Sequence, residues 1–308
     1  MRSNLKGVSE LKRMRSLDDI FEVIRKGERK RVALVGAEDV EALKALAEAK
    51  RMGIAEGLLV GRKDVIEKNL EEIQFFDFEI MDAEDEYTAS RKGVESVVRG
   101  KASILMKGLV KTSILLKEVL KDEWNLKMKE LLSHVIVMDI PKFDRLILLS
   151  DGGMVIKPNL EQKRMIIENA VEVAKKLGID EPKVACLTAV ETVNPNMPET
   201  LDAAVLSVMN RRNQIKDCTV DGPLALDNAV SERAAKIKGI ESAVAGRADI
   251  LITPDIHSGN MLGKSVVYFA GGKIGGVVVG AKVPIVLVSR ADTMDSKLFS
   301  IALGVLMS

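Results

Sequence analysis

Short apolar runs rich in Val, Ile and Leu alternate with longer, charged, Ala/Leu-rich segments through the first third of the chain. The short runs have the pattern of buried strands and the longer ones that of amphipathic helices. With only short turns between them, this alternation favours βαβ units, in which a helix joins two parallel strands by a right-handed crossover. It predicts an α/β fold with a mostly parallel, helix-covered sheet. The predicted strands are 31–37, 57–61, 78–81 and 102–106, and the predicted helices are 17–26, 38–52, 63–73 and 87–99.

The alternation is interrupted at residues 133–149. Two strand patterns, 133–140 and 145–149, are separated by four residues, a connection too short for a crossover, so we predict an antiparallel hairpin. Because 308 residues suffice for two cores, this interruption is the expected domain boundary. Beyond it the alternation resumes, with helices predicted over 160–177, 199–210, 228–238, 261–270 and 297–307 and strands over 183–188, 218–226, 248–252, 275–280 and 283–288. At the other end, the residues before Met14 are predicted to be a poorly packed extension.

The strand-to-helix corner at residues 248–264 carries the strongest functional signal. An apolar run stops at Pro254, and polar or small residues follow before the next helical pattern. In an open α/β sheet such a corner lies at the carboxyl edge, where ligands bind, and the free N–H groups of a helix start suit a phosphate. A structural role is the alternative, with Asn260 as an ordinary helix cap and Lys264 in solvent.

Three further corners, at 107–113, 221–223 and 289–295, have a similar composition. All four corners contain acidic, basic or hydroxyl side chains with little aromatic surface, which favours an anionic, phosphate-bearing ligand. For Lys111 a solvated surface position is the alternative to an anion contact. The predicted substrate-binding residues are Lys111, Thr112, Asp221, Asp255, Asn260 and Lys264.

Composition argues against several other classes of protein. The formal net charge is +1 and aromatic residues make up 3% of the chain, so neither a nucleic-acid partner nor base-stacking platforms are expected. No apolar run has the length of a membrane span or the form of a signal peptide. We therefore predict a cytoplasmic protein that acts on small molecules.

The chain also lacks the sequence patterns of metal and nucleotide sites. The two cysteines, Cys186 and Cys218, and the two histidines, His134 and His257, do not have metal-ligand spacing. The glycine-rich segment 271–276 is not a Walker A loop, and no GxGxxG opens a helix after the first strand. We predict no metal and no cofactor, an inert buried Cys186 and a structural His134.

Three long motifs give the chain a specific resemblance. Residues 221–229 (DGPLALDNA), 254–264 (PDIHSGNMLGK) and 280–292 (GAKVPIVLVSRAD) resemble the phosphate acetyl/butyryltransferase family, and its butyryl branch most closely. The resemblance implies two three-layer α/β/α domains with a cleft between them, and at least a homodimer. Because the C-terminal residues of the family return to the first domain, it also implies a first domain of 1–140 plus about 290–308 and a second of 141–289.

The resemblance also implies catalytic roles for Ser289 and Arg290, which match a Ser-Arg pair followed by an aspartate in the acetyl branch. Asp295 lies near the expected spacing, with Asp292 as the alternative, and either aspartate could instead cap the following helix. A base would deprotonate the thiol of coenzyme A, whose pKa resembles the value of about 8.5 for free cysteine. A guanidinium would bind phosphate oxygens and stabilise charge, and a serine hydroxyl would orient the sulfur.

The implied reaction is reversible transfer of a butanoyl group between coenzyme A and phosphate, by direct thiol attack on the acyl phosphate in a ternary complex. Acetyl transfer is the alternative within the family. More remote alternatives are an NAD(P)-dependent decarboxylating dehydrogenase, which requires a carboxylate cluster for a divalent metal, and a two-lobed solute-binding protein. An acyl relay through Cys186 or Cys218 is possible but nothing in the sequence motivates it.

Overall fold

The first part of the chain forms the predicted alternation of strands and helices. The computed structural model describes residues 12–308, so most of the predicted N-terminal extension lies outside the described residues. Ser16 caps the first helix and forms a capping box with Asp19. The elements are α1 (Leu17–Ile24), β1 (Lys30–Val35), α2 (Val40–Arg51), β2 (Ala55–Gly61), α3 (Lys63–Glu72), β3 (Glu79–Asp82), α4 (Glu86–Val98), β4 (Ile104–Lys107), α5 (Thr112–Val119) and a 3₁₀ turn (Asp122–Trp124).

The predicted hairpin is confirmed as the pair β5 (Ser133–Asp139) and β6 (Ile147–Ser150). The two strands pair antiparallel, with Val137 opposite Leu148. The remaining elements are α6 (Leu160–Lys176), β7 (Lys183–Leu187), α7 (Pro198–Arg211), β8 (Thr219–Leu224), α8 (Leu226–Val230), α9 (Glu232–Ile237), β9 (Ile250–Ile252), α10 (Ile256–Tyr268), β10 (Lys273–Val279), β11 (Ile285–Val286) and α11 (Met294–Met307).

Two predicted helices have different boundaries because polar side chains cap them. The helix predicted over 228–238 is two helices, α8 and α9, which meet at Ser231 in an extended conformation; its hydroxyl accepts a hydrogen bond from the N–H of Ala234 at 3.3 Å. The helix predicted to begin at Met261 begins at Ile256, because Asp255 caps it. Side chains that bond nearby N–H groups start helices and compete with a continuous one.

The strands of residues 12–308 form one eleven-stranded sheet in the order β3-β2-β1-β4-β11-β10-β5-β6-β9-β7-β8. Pairing is parallel except at β10–β11, β10–β5 and β5–β6. The predicted α/β class with a mostly parallel sheet is therefore confirmed. Strands β1 to β4 and β11 lie on one side of the β10–β11 junction, and β5 to β10 lie on the opposite side; the division into two domains stays a prediction.

Helices cover both faces of the sheet, which explains why the buried parts of its central strands are apolar. In β1, Val32 and Leu34 pack into the core beneath α1, α2 and α11, whereas Ala33 and Val35 pack beneath α4 and α5. Helix α11 contacts α2, β10 and β4, so it spans the β10–β11 junction. Among residues 12–308, no helix combines the length and apolar character needed to cross a membrane.

Candidate active site

A cavity of about 260 Å³ lies where β10 and β11 part. Val278 and Ile285 are paired across the two strands, and beyond this pair residues 274–276 and 287–289 both line the cavity. Its polar lining residues are Lys107, Thr112, His134, Asn260, Lys264, Ser289, Asp292, Ser296 and Ser300, and its large apolar ones are Ile136, Ile274, Leu287 and Val288. Lys107 and residues 287–289 lie at the carboxyl ends of β4 and β11, and this edge of an α/β sheet is where ligands usually bind.

Lys107, the last residue of β4, brings a buried amine to the cavity. The residue is 6% exposed, and its Nζ donates to the carbonyl oxygens of Gly108 at 3.0 Å and Val110 at 3.3 Å. Burial lowers the pKa of the Lys107 ammonium, and the charges of Arg290 and Lys297 act in the same direction, partly offset by two nearby carboxylates. A buried cation that is hydrogen-bonded only to carbonyls favours an anionic ligand.

Of the two predicted binding residues in the corner after β4, one lines the cavity and the other does not. Thr112, the first residue of α5, lines the cavity. The side chain of Lys111 is 69% exposed and lies 3.5 Å from a carboxylate oxygen of Glu86, and it does not line the cavity. Lys111 thus occupies the alternative surface position, where an ion pair contributes little.

The predicted binding residues in the corner between β9 and α10 also differ in whether they line the cavity. Asp255 caps α10, its Oδ1 accepting from the Ser258 N–H at 2.8 Å, and this bond lowers the pKa of the Asp255 carboxyl. Asp255 does not line the cavity. Asn260 and Lys264, one turn apart on α10, line the cavity. The Asn260 amide donates a hydrogen bond to the carbonyl oxygen of Gly152 at 3.2 Å. Helix α10 begins after the carboxyl end of β9 and packs against β5 and β10, which brings these side chains to the cavity.

The loop between β11 and α11 contains the predicted catalytic residues. The Ser289 N–H donates to Asp292 Oδ2 at 2.7 Å, which closes a turn, and both residues line the cavity. Asp295 is exposed in the first turn of α11 and does not line the cavity. Arg290 is exposed at the tip of the turn and, among residues 12–308, has no carboxylate within ion-pair distance. Of the two candidate aspartates, Asp292 is the one on the cavity wall.

Asp221 lies outside this arrangement. It is in β8, at the edge of the sheet, and its Oδ1 accepts from the N–H of Gly222 at 2.9 Å. Five strand spacings of about 4.8 Å separate β8 from β10, or about 24 Å. The structure therefore brings Thr112, Asn260, Lys264 and Ser289 together, but not Asp221, Lys111, Asp255, Arg290 or Asp295.

Sequence reasoning did not place four polar residues of the cavity wall in the site: Lys107, His134, Ser296 and Ser300. The position of Lys107 at a strand end was a usable signal, whereas His134 resembled a structural residue at a strand start. Its backbone N–H donates to Asp151 Oδ2 at 2.8 Å and its carbonyl accepts from the Ser150 hydroxyl at 2.9 Å. Both of its ring nitrogens are buried and have no hydrogen-bond partner among the described residues.

The cysteines lack the properties of nucleophiles or metal ligands. Burial raises the pKa of both thiols, Cys186 and Cys218, to about 12, so very little thiolate exists near neutral pH. Within residues 12–308, no group of three or more His, Cys, Asp and Glu side chains is arranged to hold a metal ion.

Comparisons with known proteins identify similar sequences and a similar structure. The family described as Phosphate acetyl/butaryl transferase matches residues 79–305. The chain is 45% identical to the phosphate butyryltransferase of Clostridium acetobutylicum over 96% of its length and 99% of the relative's. It is 46% identical to the phosphate acetyltransferase of Thermotoga maritima over 94% and 98%. The crystal structure of a branched-chain phosphotransacylase from Enterococcus faecalis V583 superposes with a TM-score of 0.81 at 36% identity, covering 90% of this chain and 98% of that one.

Proposed function

Since this chain belongs to the phosphate acetyl/butyryl transferase family and is an acyltransferase, we propose that it transfers a butanoyl group reversibly between coenzyme A and inorganic phosphate. One observation carries the choice of acyl group. The cavity has an apolar wall of Ile136, Ile274, Leu287 and Val288 beside its polar residues. Such a wall suits a short alkyl tail next to a charged reaction centre.

The polar residues have roles that fit direct transfer. Lys107 and Lys264 supply positive charge for phosphate, and the free N–H groups at the start of α5, beside Thr112, add donors. The Ser289 hydroxyl orients the sulfur of coenzyme A, and an aspartate of the same corner, Asp292 in the loop or Asp295 in the first turn of α11, accepts the thiol proton. The thiolate then attacks the carbonyl carbon of the acyl phosphate, and the phosphate leaves without an acyl-enzyme.

Arg290 enters this scheme from the rim of the cavity. Its influence on the pKa of Lys107 supports a position near the phosphate. Because Arg290 is exposed and has no ion-pair partner among the described residues, its side chain is available to a substrate. A guanidinium in this position would bind phosphoryl oxygens in a bidentate manner and stabilise developing charge.

The proposal also covers the location, the oligomeric state and the cofactor requirement of the enzyme. We propose a cytoplasmic homodimer or higher homo-oligomer that needs neither a metal nor a cofactor. Exposed apolar side chains at Leu201, Val205 and Val208, spaced three or four residues apart on α7, support association between subunits. Analytical ultracentrifugation would test this part separately, and a monomer at assay concentration would contradict it.

Acetyl transfer is the second candidate, because the acetyltransferase of Thermotoga maritima is as similar to this chain as the butyryltransferase. The two acyl groups differ by two methylenes. At about 0.8 kcal/mol for each buried methylene, the apolar wall favours butanoyl-CoA by about 1.6 kcal/mol, or about 15-fold in kcat/KM.

The decisive measurement is phosphate-dependent release of coenzyme A from acetyl-, butanoyl- and isobutanoyl-CoA. Omitting phosphate provides the control for hydrolysis. We expect the highest kcat/KM with butanoyl-CoA or a branched analogue of similar size. Equal or faster release from acetyl-CoA would assign the enzyme to acetyl transfer, and no phosphate-dependent release from any thioester would refute the proposed function.

A further inference from the structure

The imidazole of His134 is a buried polar group without a protein partner, and it borders the cavity. Among residues 12–308, neither Nδ1 nor Nε2 has a hydrogen-bond partner. Buried polar atoms in native proteins are nearly always satisfied, since an unmade hydrogen bond destabilises the fold. An exception that faces a cavity is expected where a ligand completes the hydrogen bonds.

Two glycines pack closely against the two ring nitrogens. A Cβ atom on Gly153 would lie 2.8 Å from Nδ1, and a Cβ atom on Gly276 would lie 2.6 Å from Nε2. Both glycines line the cavity. The hydrogen bonds of the His134 backbone to Ser150 and Asp151 fix the residue at the start of β5. The ring is thus held in one place at the border of the cavity, and a side chain at either glycine would clash with it.

The surroundings favour a neutral imidazole. Burial lowers the pKa of His134, opposed by the carboxylates of Asp151 and Asp292. Lys107 and Lys264, from β4 and α10, also line the cavity and oppose a second cation there. A neutral imidazole presents one N–H donor and one acceptor nitrogen.

The neighbours of the ring also distinguish between parts of the substrate. The charges of Asp151 and Asp292 disfavour a phosphate dianion beside it. Ile136, two residues along the same strand, presents an apolar side chain to the cavity on the same face. The polar atom of an acyl group that would lie beside an apolar wall is its carbonyl oxygen, which is uncharged before the reaction and becomes negative during it.

We propose that His134 is a catalytic residue that donates a hydrogen bond from its neutral imidazole to the carbonyl oxygen of the transferred acyl group. The inference rests on the proposed acyl transfer. When phosphate oxygen or thiolate sulfur bonds to the carbonyl carbon, the carbonyl electron pair moves to the oxygen, and the N–H of His134 stabilises that oxyanion. The imidazole keeps its proton. The electron pair returns as the bond to the leaving sulfur or phosphate oxygen breaks.

Kinetic analysis of His134 variants tests this role. His134→Phe keeps a planar ring but removes the donor, so we expect kcat with butanoyl-CoA to fall by about 10²–10³-fold with little change in KM. Asparagine places an amide N–H near the position of Nδ1 and glutamine near that of Nε2, so one of His134→Asn and His134→Gln should retain at least about tenfold more activity than the phenylalanine variant. His257→Asn, at the exposed second histidine of the chain, is the matched control and should match wild type.

Nitrogen-15 NMR of the wild-type protein provides a readout independent of activity and of the folding of any variant. With two histidines in the chain, His257→Asn identifies the His134 resonances. We expect butanoyl-CoA, added without phosphate, to shift the His134 N–H resonance, and S-butyl-CoA, a thioether that lacks the carbonyl oxygen, to leave it unchanged.

The outcomes separate this inference from the proposed function. Three results would overturn the role of His134 while acyl transfer by the wild type stands. They are an equal shift of the His134 resonance with S-butyl-CoA, a shift produced by phosphate alone, and a kcat within about threefold of wild type in folded His134→Phe. A wild-type enzyme without phosphate-dependent acyl transfer would instead refute the proposed function, and this inference with it.

Discussion

The ion pair between Lys297 and Asp39 joins the C-terminal helix to the first part of the fold, and its removal should destabilise the protein strongly. The Lys297 side chain is fully buried, and its Nζ lies 3.1 Å from both carboxylate oxygens of Asp39. The Asp39 side chain is 12% exposed and also caps α2 by accepting from the N–H of Ala42. Lys297→Met removes the buried cation and leaves the carboxylate with that cap alone.

The expected loss follows from this geometry. Removing one member of a buried ion pair costs about 3–5 kcal/mol, and the retained cap places Asp39 near the lower value, about 3 kcal/mol. At about 2.1 cal/mol/K of unfolding entropy per residue, a chain of 308 residues should then lose about 5 °C in Tm. Adding Asp39→Asn keeps a capping side chain but removes the buried charge, so the double variant should recover at least half of the loss.

Thermal unfolding followed by circular dichroism measures these changes. The matched control is Lys44→Met, because Lys44 pairs with Glu41 at 2.9 Å while both side chains are more than 40% exposed. An exposed pair of this kind contributes little to stability, so the control should change Tm by less than about 2 °C. A Lys297→Met protein as stable as the Lys44→Met protein, or a double variant no more stable than Lys297→Met, would refute the reasoning.

Three further predictions concern the chemistry. Arg290→Gln should lower kcat by about 10²–10³-fold with little change in the KM for coenzyme A. Arg290→Lys should be partly active because it keeps the charge but not the bidentate geometry. Near-normal kcat in folded Arg290→Gln would exclude a role of Arg290 in binding the phosphoryl group. Chelator should leave activity unchanged, and a loss reversed by Mg²⁺ or Mn²⁺ would favour the dehydrogenase alternative. Because burial raises the pKa of both cysteine thiols to about 12, Cys186→Ala and Cys218→Ala should each retain kcat within about twofold in assays near pH 7.5; loss of kcat without loss of Tm would support an acyl relay.

Local signals in the sequence were sufficient for the elements of this fold. The part of a strand that is buried on both faces must be apolar, as Val32 to Val35 of β1 are, and a hairpin connection of a few residues cannot cross the sheet, as between β5 and β6. Ser16 marked the start of α1 in the same way, because its side chain bonds an N–H within its own first turn. Each of these features depends on residues that are close together in the chain.

The membership of the cavity depends instead on the order of the strands. Asp221 and Asn260 both belong to glycine-containing corners, yet Asp221 lies in the edge strand β8 while α10, which carries Asn260, returns across the sheet to β5 and β10. The same holds for Lys297, whose partner Asp39 is 258 residues away, and for His134, whose ring packs against two glycines that are distant in the chain. Local sequence records which side chains a corner has, but only packing of the whole sheet decides which corners meet, because the contacts that bring them together are between elements far apart in the chain.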